Sequence, residues 1–154
     1  MTKLLIISPQ TGAAGMTADI IVIAGDYAGT PVKALHKAIL SFQKPVVLIA
    51  GLMELDGTNR SRLLAEGRRQ SKKYLRLRFL ERDATTIEGV RFIGMHKPDV
   101  ALILAALDEP HDGPTVIVTY DEPREDIEAV TRTGKVSRWV HAGTTTREPL
   151  VVEV

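Results

Sequence analysis

The feature that most constrains the fold is an apolar run at residues 20–24, which ends in Gly25 and Asp26. Its first four residues are all β-branched, whereas a strand with one exposed face would alternate such residues with polar ones. The run therefore predicts a strand that is buried on both faces of a sheet. Ligands of open α/β sheets bind beside the carboxyl ends of the strands, so we expect Asp26 to lie at such an edge.

Strand and helix patterns alternate in the first part of the chain, and hairpin patterns follow. Apolar and alternating runs predict strands at 4–7, 20–23, 46–50, 74–80, 85–87, 90–93, 115–118, 137–140 and 150–154. Caps, prolines and helical spacing predict helices at 31–43, 56–73, 98–107 and 123–131. In the strand at 74–80, we expect Leu75, Leu77 and Phe79 to face the core. This order predicts two packed sheets with helices outside them, in one domain spanning 1–154.

The composition narrows the class of protein. The 154 residues include 20 Lys plus Arg, 19 Asp plus Glu and no cysteine. The balanced charge gives no overall attraction to nucleic acid or membranes, and the lack of cysteine excludes disulfides and thiolate chemistry. No apolar stretch approaches the roughly 20 residues of a membrane helix, and the run at 4–7 is too short for a signal peptide. We therefore expect a soluble, cytoplasmic protein with no membrane partner.

Five segments of the chain carry a further resemblance, namely 18–26, 44–51, 87–94, 113–119 and 139–141. In this order they resemble the framework of the calcineurin-like metallophosphoesterases. The resemblance implies a four-layer αββα sandwich of the metallophosphoesterase type. It also implies a fold that is reduced in size, because the segments that usually build the substrate cleft are short here.

The same resemblance implies a former site of two divalent ions, whose ligands are nearly all replaced. The positions that correspond to this site are Pro9, Thr11, Asp26, Leu52, Met53, Tyr120, Asp121, Gly143 and Thr145. Asp26, which would bridge both ions, is the only principal ligand that remains. One carboxylate does not hold two divalent ions in water, so we expect no metal or cofactor. We expect Asp26 instead to accept hydrogen bonds from hydroxyl or loop N–H groups.

These replacements lead to two hypotheses for the function. The first is a non-catalytic pseudoenzyme, a natural or engineered scaffold or interaction module that binds a protein partner or a second copy of itself. The alternative is a residual metal-dependent phosphoesterase, in which Asp26, Glu54 and Asp121 hold one weakly bound Mn²⁺ or Mg²⁺. An apolar edge strand at 150–154 would allow self-association.

A third hypothesis rests on a basic stretch that contains a single acid, Glu66. Its cations are Arg60, Arg62, Arg68, Arg69, Lys72, Lys73, Arg76 and Arg78. Such a stretch binds phosphate groups or nucleic acid, or is simply a solvated helix face. Tyr74 is its only aromatic residue, too few for base stacking, so nucleic acid is not an expected partner. The four histidines are scattered, and we expect His141 to have a packing role.

Overall fold

Two β-sheets form the centre of this computed structural model, which describes residues 1–7, 16–55, 59–124, 127–144 and 150–154. In chain order the elements are β1 (Lys3–Ile7), β2 (Ile20–Ile23), α1 (Pro31–Ser41), β3 (Val46–Leu48), α2 (Arg60–Ser71), β4 (Leu77–Phe79), β5 (Asp83–Ile87), β6 (Val90–Met95), α3 (Val100–Asp108), β7 (Thr115–Thr119), α4 (Glu128–Arg132), β8 (Arg138–His141) and β9 (Leu150–Glu153). In these ranges, no helix is both long enough and apolar enough to cross a membrane.

The two sheets differ in size, but in each of them the central strands are parallel. The first has the strand order β4-β3-β2-β1-β9, with β9 antiparallel to β1 and the other pairs parallel. The second has the order β5-β6-β7-β8, in which β5 and β6 form an antiparallel hairpin and the remaining pairs are parallel. Parallel pairing aligns the carboxyl ends of β1–β4 along one edge of the first sheet, which is where the loop containing Asp26 begins.

Three apolar clusters define the layers. The central cluster joins residues of both sheets, such as Val22 and Phe92, and is the core between the sheets. A second cluster packs the first sheet against α1 and α2, and a third packs the second sheet against α3 and α4. The predicted α/β sandwich, with two sheets and helices on both outer faces, is therefore confirmed.

One predicted helix start, at Pro31, is confirmed by its cap, and α3 begins at Val100, two residues after its predicted start at 98. The Oγ1 atom of Thr30 accepts a hydrogen bond of 3.1 Å from the N–H of Lys33, and Pro31 occupies the first turn of α1. Asp99 caps α3 in the same way, accepting a hydrogen bond of 3.1 Å from the N–H of Leu102. A side-chain oxygen at this position satisfies an N–H group that has no partner inside the helix, which fixes where each helix begins.

The predicted strand at 74–80 is wrong over its first half. Turns follow α2, and in them the N–H of Tyr74 donates to the carbonyl of Ser71, and that of Leu77 to the carbonyl of Tyr74. Residues 74–76 therefore belong to these turns, and β4 begins only at Leu77. Leu75, expected in the core, is 90% exposed. The alternation of leucine and arginine therefore predicts the buried side chains only from Leu77 onwards, where the strand begins.

Two other helix boundaries differ from the predictions. Helix α4 begins at Glu128 rather than at Pro123, and the N–H of Ile127 just before it donates to the carbonyl of Arg124. Helix α2 begins at Arg60, and the predicted start at 56–58 lies outside the described residues.

Candidate functional site

Two glycines allow the loops after β2 and β3 to touch. Gly25 has a φ of +95°, and a Cβ atom there would lie 2.7 Å from Cα of Gly51. A Cβ atom at Gly51 would lie 2.5 Å from the backbone nitrogen of Asp26. Real Cβ atoms do not come so close to backbone atoms, so only glycine fits at both positions. The contact brings the main chain of one loop within hydrogen-bond reach of acidic side chains on the other.

Glu54 is fully buried in the space between these loops, at 0% exposure. Its Oε1 atom accepts hydrogen bonds from the N–H groups of Tyr27 at 2.5 Å and Ala28 at 3.3 Å. Its Oε2 atom accepts from those of Asp26 at 2.9 Å and Gly51 at 3.0 Å. A buried carboxylate is stable only if its charge is compensated, and here four backbone dipoles provide that compensation. Glu54 is therefore a structural carboxylate that ties the two loops together.

Asp26 also has both of its oxygens occupied. Oδ1 accepts a hydrogen bond of 2.7 Å from the N–H of Met53, and Oδ2 accepts one of 2.5 Å from the hydroxyl group of Tyr120. The backbone at Asp26 is left-handed, with a φ of 54°. This conformation is unusual for a residue other than glycine and is tolerated best by Asn and Asp. The role expected from the sequence, an acceptor for hydroxyl and loop N–H groups, is the one observed.

Tyr120 reaches Asp26 from the loop after β7 in the second sheet. Burial, the hydrogen bond to Asp26 and the negative charge of that carboxylate raise the pKa of Tyr120 to about 12. The phenol therefore keeps its proton at neutral pH and acts as a donor. This hydrogen bond links the strand ends of the two sheets.

His96 is a site residue that the sequence analysis missed. It follows β6, is 4% exposed, and its Nδ1 atom lies 2.9 Å from the carbonyl oxygen of Ala50, so Nδ1 carries the proton. Its ring stacks on that of Tyr120 with centroids 4.9 Å apart and an interplanar angle of 13°. Its carbonyl oxygen also accepts the N–H groups of Tyr120 and Asp121. His96 therefore positions Tyr120. Its place directly after an apolar strand is the signal that could have revealed it.

The other positions of the former site are less closely connected. Leu52 and Met53 are 59% and 49% exposed, and the N–H of Met53 donates to Asp26. Gly143 lies in a short 3₁₀ turn and donates its N–H to Nδ1 of His141 at 3.1 Å. Asp121 bonds through its main chain, with its carbonyl oxygen accepting the hydroxyl group of Thr119 at 2.7 Å. The remaining three positions, Pro9, Thr11 and Thr145, lie outside the described residues.

The side chains that the structure describes at this edge do not fit a two-ion centre. Within the described ranges, no group of three or more His, Cys, Asp or Glu residues is arranged to hold a metal ion. Both oxygens of Asp26 and both of Glu54 already accept hydrogen bonds from the protein. The hydrogen bonds of Asp26 and Glu54 can fix the relative positions of three loops, those after β2, β3 and β7.

The cations of the basic stretch differ in their contacts. Arg76 donates to the carbonyl oxygen of Ile39 at 2.8 Å, and Arg78 donates to the carbonyls of Leu75 and Leu77. Two more cations face carboxylates, in the pairs Arg68 with Asp83 and Arg69 with Glu66. The remaining four are exposed, namely Arg60, Arg62, Lys72 and Lys73. The stretch is therefore not a uniform solvated face, because some of its members hold the end of α2 and β4 in place.

No protein-family model matches this sequence, and neither does any curated protein. One solved structure is similar over 91% of this chain and 83% of its own, with a TM-score of 0.57 and 13% sequence identity. At so low an identity the likeness shows the fold alone, and it agrees with the mixed α/β sandwich described above.

Proposed function

We propose that this chain is a non-catalytic protein of the metallophosphoesterase fold type that acts as a scaffold or interaction module. The observation that carries the proposal is the saturation of the two acidic side chains at the strand ends. Glu54 accepts four backbone N–H groups, and Asp26 accepts the hydroxyl group of Tyr120 and the N–H of Met53. The fold type rests on the five resembling segments together with the layers of the sandwich.

Metal-assisted hydrolysis needs carboxylate or imidazole ligands whose lone pairs point at a cation. In the alternative function, Asp26, Glu54 and Asp121 would hold a single Mn²⁺ or Mg²⁺. Glu54 would then have to leave four N–H donors, each of which would be left without a partner in a buried loop. Breaking such bonds costs about 1–3 kcal/mol for each unsatisfied group. For the four groups together, this cost exceeds the free energy gained when a weak site binds a single ion. The saturated arrangement therefore favours the non-catalytic function.

The partner of an interaction module would dock on a surface away from the saturated loops. At one end of the first sheet, β9 carries the exposed residues Leu150 and Val151. An edge strand with apolar side chains pairs readily with another strand, so β9 is the surface we assign to a protein partner or to a second copy of the chain.

Calorimetric titration with Mn²⁺ and a hydrolysis assay on bis(p-nitrophenyl) phosphate test the proposal. We expect any Mn²⁺ binding to be weaker than roughly millimolar, and the wild-type hydrolysis rate to equal that of Asp26→Ala. Tighter binding together with turnover that Asp26→Ala abolishes would establish the phosphoesterase alternative. Size-exclusion chromatography of the wild-type chain and of Val151→Lys tests the edge strand, since the charge should abolish strand pairing.

A further inference from the structure

A cleft of about 400 Å³ lies between the last turn of α2 and the strands β4 and β5. Three cations line it, Arg68, Lys72 and Arg78, together with one carboxylate, Asp83. The carboxylate pairs with Arg68 at 3.4 Å, so the charge of the cleft remains positive. None of these residues takes part in the hydrogen bonds of Asp26, Glu54 and Tyr120.

The two arginines of the cleft are held in place by main-chain carbonyls. Arg78 donates through Nη1 to Leu77 at 3.1 Å and also to Leu75, and Arg68 donates through Nη2 to Glu81. A guanidinium group has five N–H donors, so each side chain keeps others for a ligand. Because the carbonyls already fix the side chains, a ligand would not have to pay the full entropy of ordering them.

The surroundings strengthen the positive potential of this cleft. Residues 60–78 contain eight cations and one acid, whereas the whole chain has a formal net charge of only +1. Guanidinium and ammonium groups arranged around a small concavity are the groups that proteins use to bind phosphate. Thr85 also lines the cleft, as does Ser71, whose hydroxyl group already donates to the carbonyl of Leu77 and accepts the N–H of Phe79.

We propose that this cleft binds the phosphate group of a small phosphomonoester. Its volume suits a small molecule rather than a polymer, and Phe79 and Leu80 provide an apolar wall beside the cations. Base stacking would require exposed aromatic rings, and the only aromatic residue in 60–78 is the half-buried Tyr74. This inference goes beyond the proposed function and does not depend on it, since the cleft and the strand-end loops use different side chains.

An NMR titration of the wild-type chain with inorganic phosphate and with glycerol 3-phosphate, at low ionic strength, tests the inference. We expect both probes to shift backbone amide signals at the cleft, with glycerol 3-phosphate binding at least as tightly as phosphate. Lys72→Gln and Arg78→Gln should each weaken binding about tenfold, the factor expected for one lost charge-assisted hydrogen bond. Absence of shifts at the cleft would overturn the proposal.

Arg62→Gln is the matched control, because Arg62 is an exposed cation of α2 that does not line this cleft. It removes the same charge and should change the affinity by less than about twofold, as expected for a screened surface charge. An equal loss in Arg62→Gln and Lys72→Gln would show diffuse attraction and overturn the proposal. Binding of an RNA or DNA oligonucleotide that weakens equally in both variants would overturn it in favour of an extended nucleic-acid surface. Lys72 is exposed, so Lys72→Gln separates binding from folding, and its thermal unfolding midpoint should match that of the wild type.

Discussion

The hydroxyl group of Tyr120 donates a hydrogen bond of 2.5 Å to Oδ2 of Asp26, across 94 residues of sequence. Asp26 follows a strand of the first sheet and Tyr120 follows a strand of the second. The bond therefore lies at the edge at which open α/β sheets usually receive ligands. An aspartate that would be a cation ligand in a metal site is here an acceptor within the protein's own fold.

Replacing Tyr120 with phenylalanine should lower the free energy of unfolding by about 1–2 kcal/mol. The substitution keeps the ring that stacks on His96 but removes the donor to a charged, partly buried oxygen. Urea unfolding followed by circular dichroism measures the effect. Tyr74→Phe, the same chemical change at another half-buried tyrosine, is the control and should be close to neutral. Equal effects of the two variants would contradict a stabilising role for this hydrogen bond.

The stability of the fold should decrease in alkaline solution. The pKa of Tyr120 is raised from 10.0 to about 12 in the folded state, so the native protein holds this proton more tightly than the unfolded chain. The corresponding stabilisation is fully present below pH 10 and is lost as the pH rises towards 12. Absorbance of tyrosinate during an alkaline titration should show two tyrosines ionising late, Tyr120 and Tyr27, whose pKa is also raised by burial. One of these late steps should be missing in Tyr120→Phe, and an unchanged titration there would contradict the raised pKa of Tyr120.

Glu54→Gln should destabilise the fold strongly, by about 3 kcal/mol or more. The amide has nearly the shape of the carboxylate, but its NH₂ group would face N–H donors that now bond to an oxygen. Glu128→Gln is the matched control, because the Glu128 side chain is exposed and its ion pair with Arg132 is at the surface. Surface pairs contribute about 0–1 kcal/mol. Chemical denaturation of both variants gives the comparison, and similar midpoints would show that Glu54 does not hold the loops.

Among substitutions that add one methyl group, Gly51→Ala should lower the stability of the fold more than most. The new Cβ atom would lie 2.5 Å from the nitrogen and Oδ1 of Asp26, so the loops after β2 and β3 would have to separate. We expect a loss of about 1–3 kcal/mol, typical of overpacking in a close-packed region. Gly29→Ala adds the same atom where nothing lies within 4 Å and should be neutral within about 0.5 kcal/mol. Thermal unfolding of the two variants would contradict the close approach if their midpoints agreed.

The sequence predicted elements whose causes are local. The strand Ile20–Ile23 has the predicted bounds because four consecutive β-branched residues favour a strand that is buried on both faces. Thr30 and Pro31 likewise define the start of α1 through contacts within a few residues. Leu75 marks the limit of this approach, because the alternation around it is also compatible with a turn after α2.

The site was harder to predict because its contacts join distant parts of the chain. The sequence around Glu54 does not indicate that its four N–H donors come from two separate loops. Likewise, Ala50, whose carbonyl oxygen bonds to His96, lies 46 residues from it in the sequence. A single sequence shows that Asp26 ends a buried strand but does not show which groups the fold will bring to it. The metallophosphoesterase relationship and the absence of catalysis stay predictions.

The burial of Glu54 among backbone amides has a consequence for how this protein responds to its solution. Loops that are organised around a bound ion loosen when a chelator removes it, and loops that cradle phosphate tighten when phosphate is added. Here the negative charge that accepts the four backbone N–H groups belongs to the side chain of Glu54 and cannot dissociate. The conformation of these loops should therefore be the same in EDTA, in phosphate-free buffer and in dilute salt.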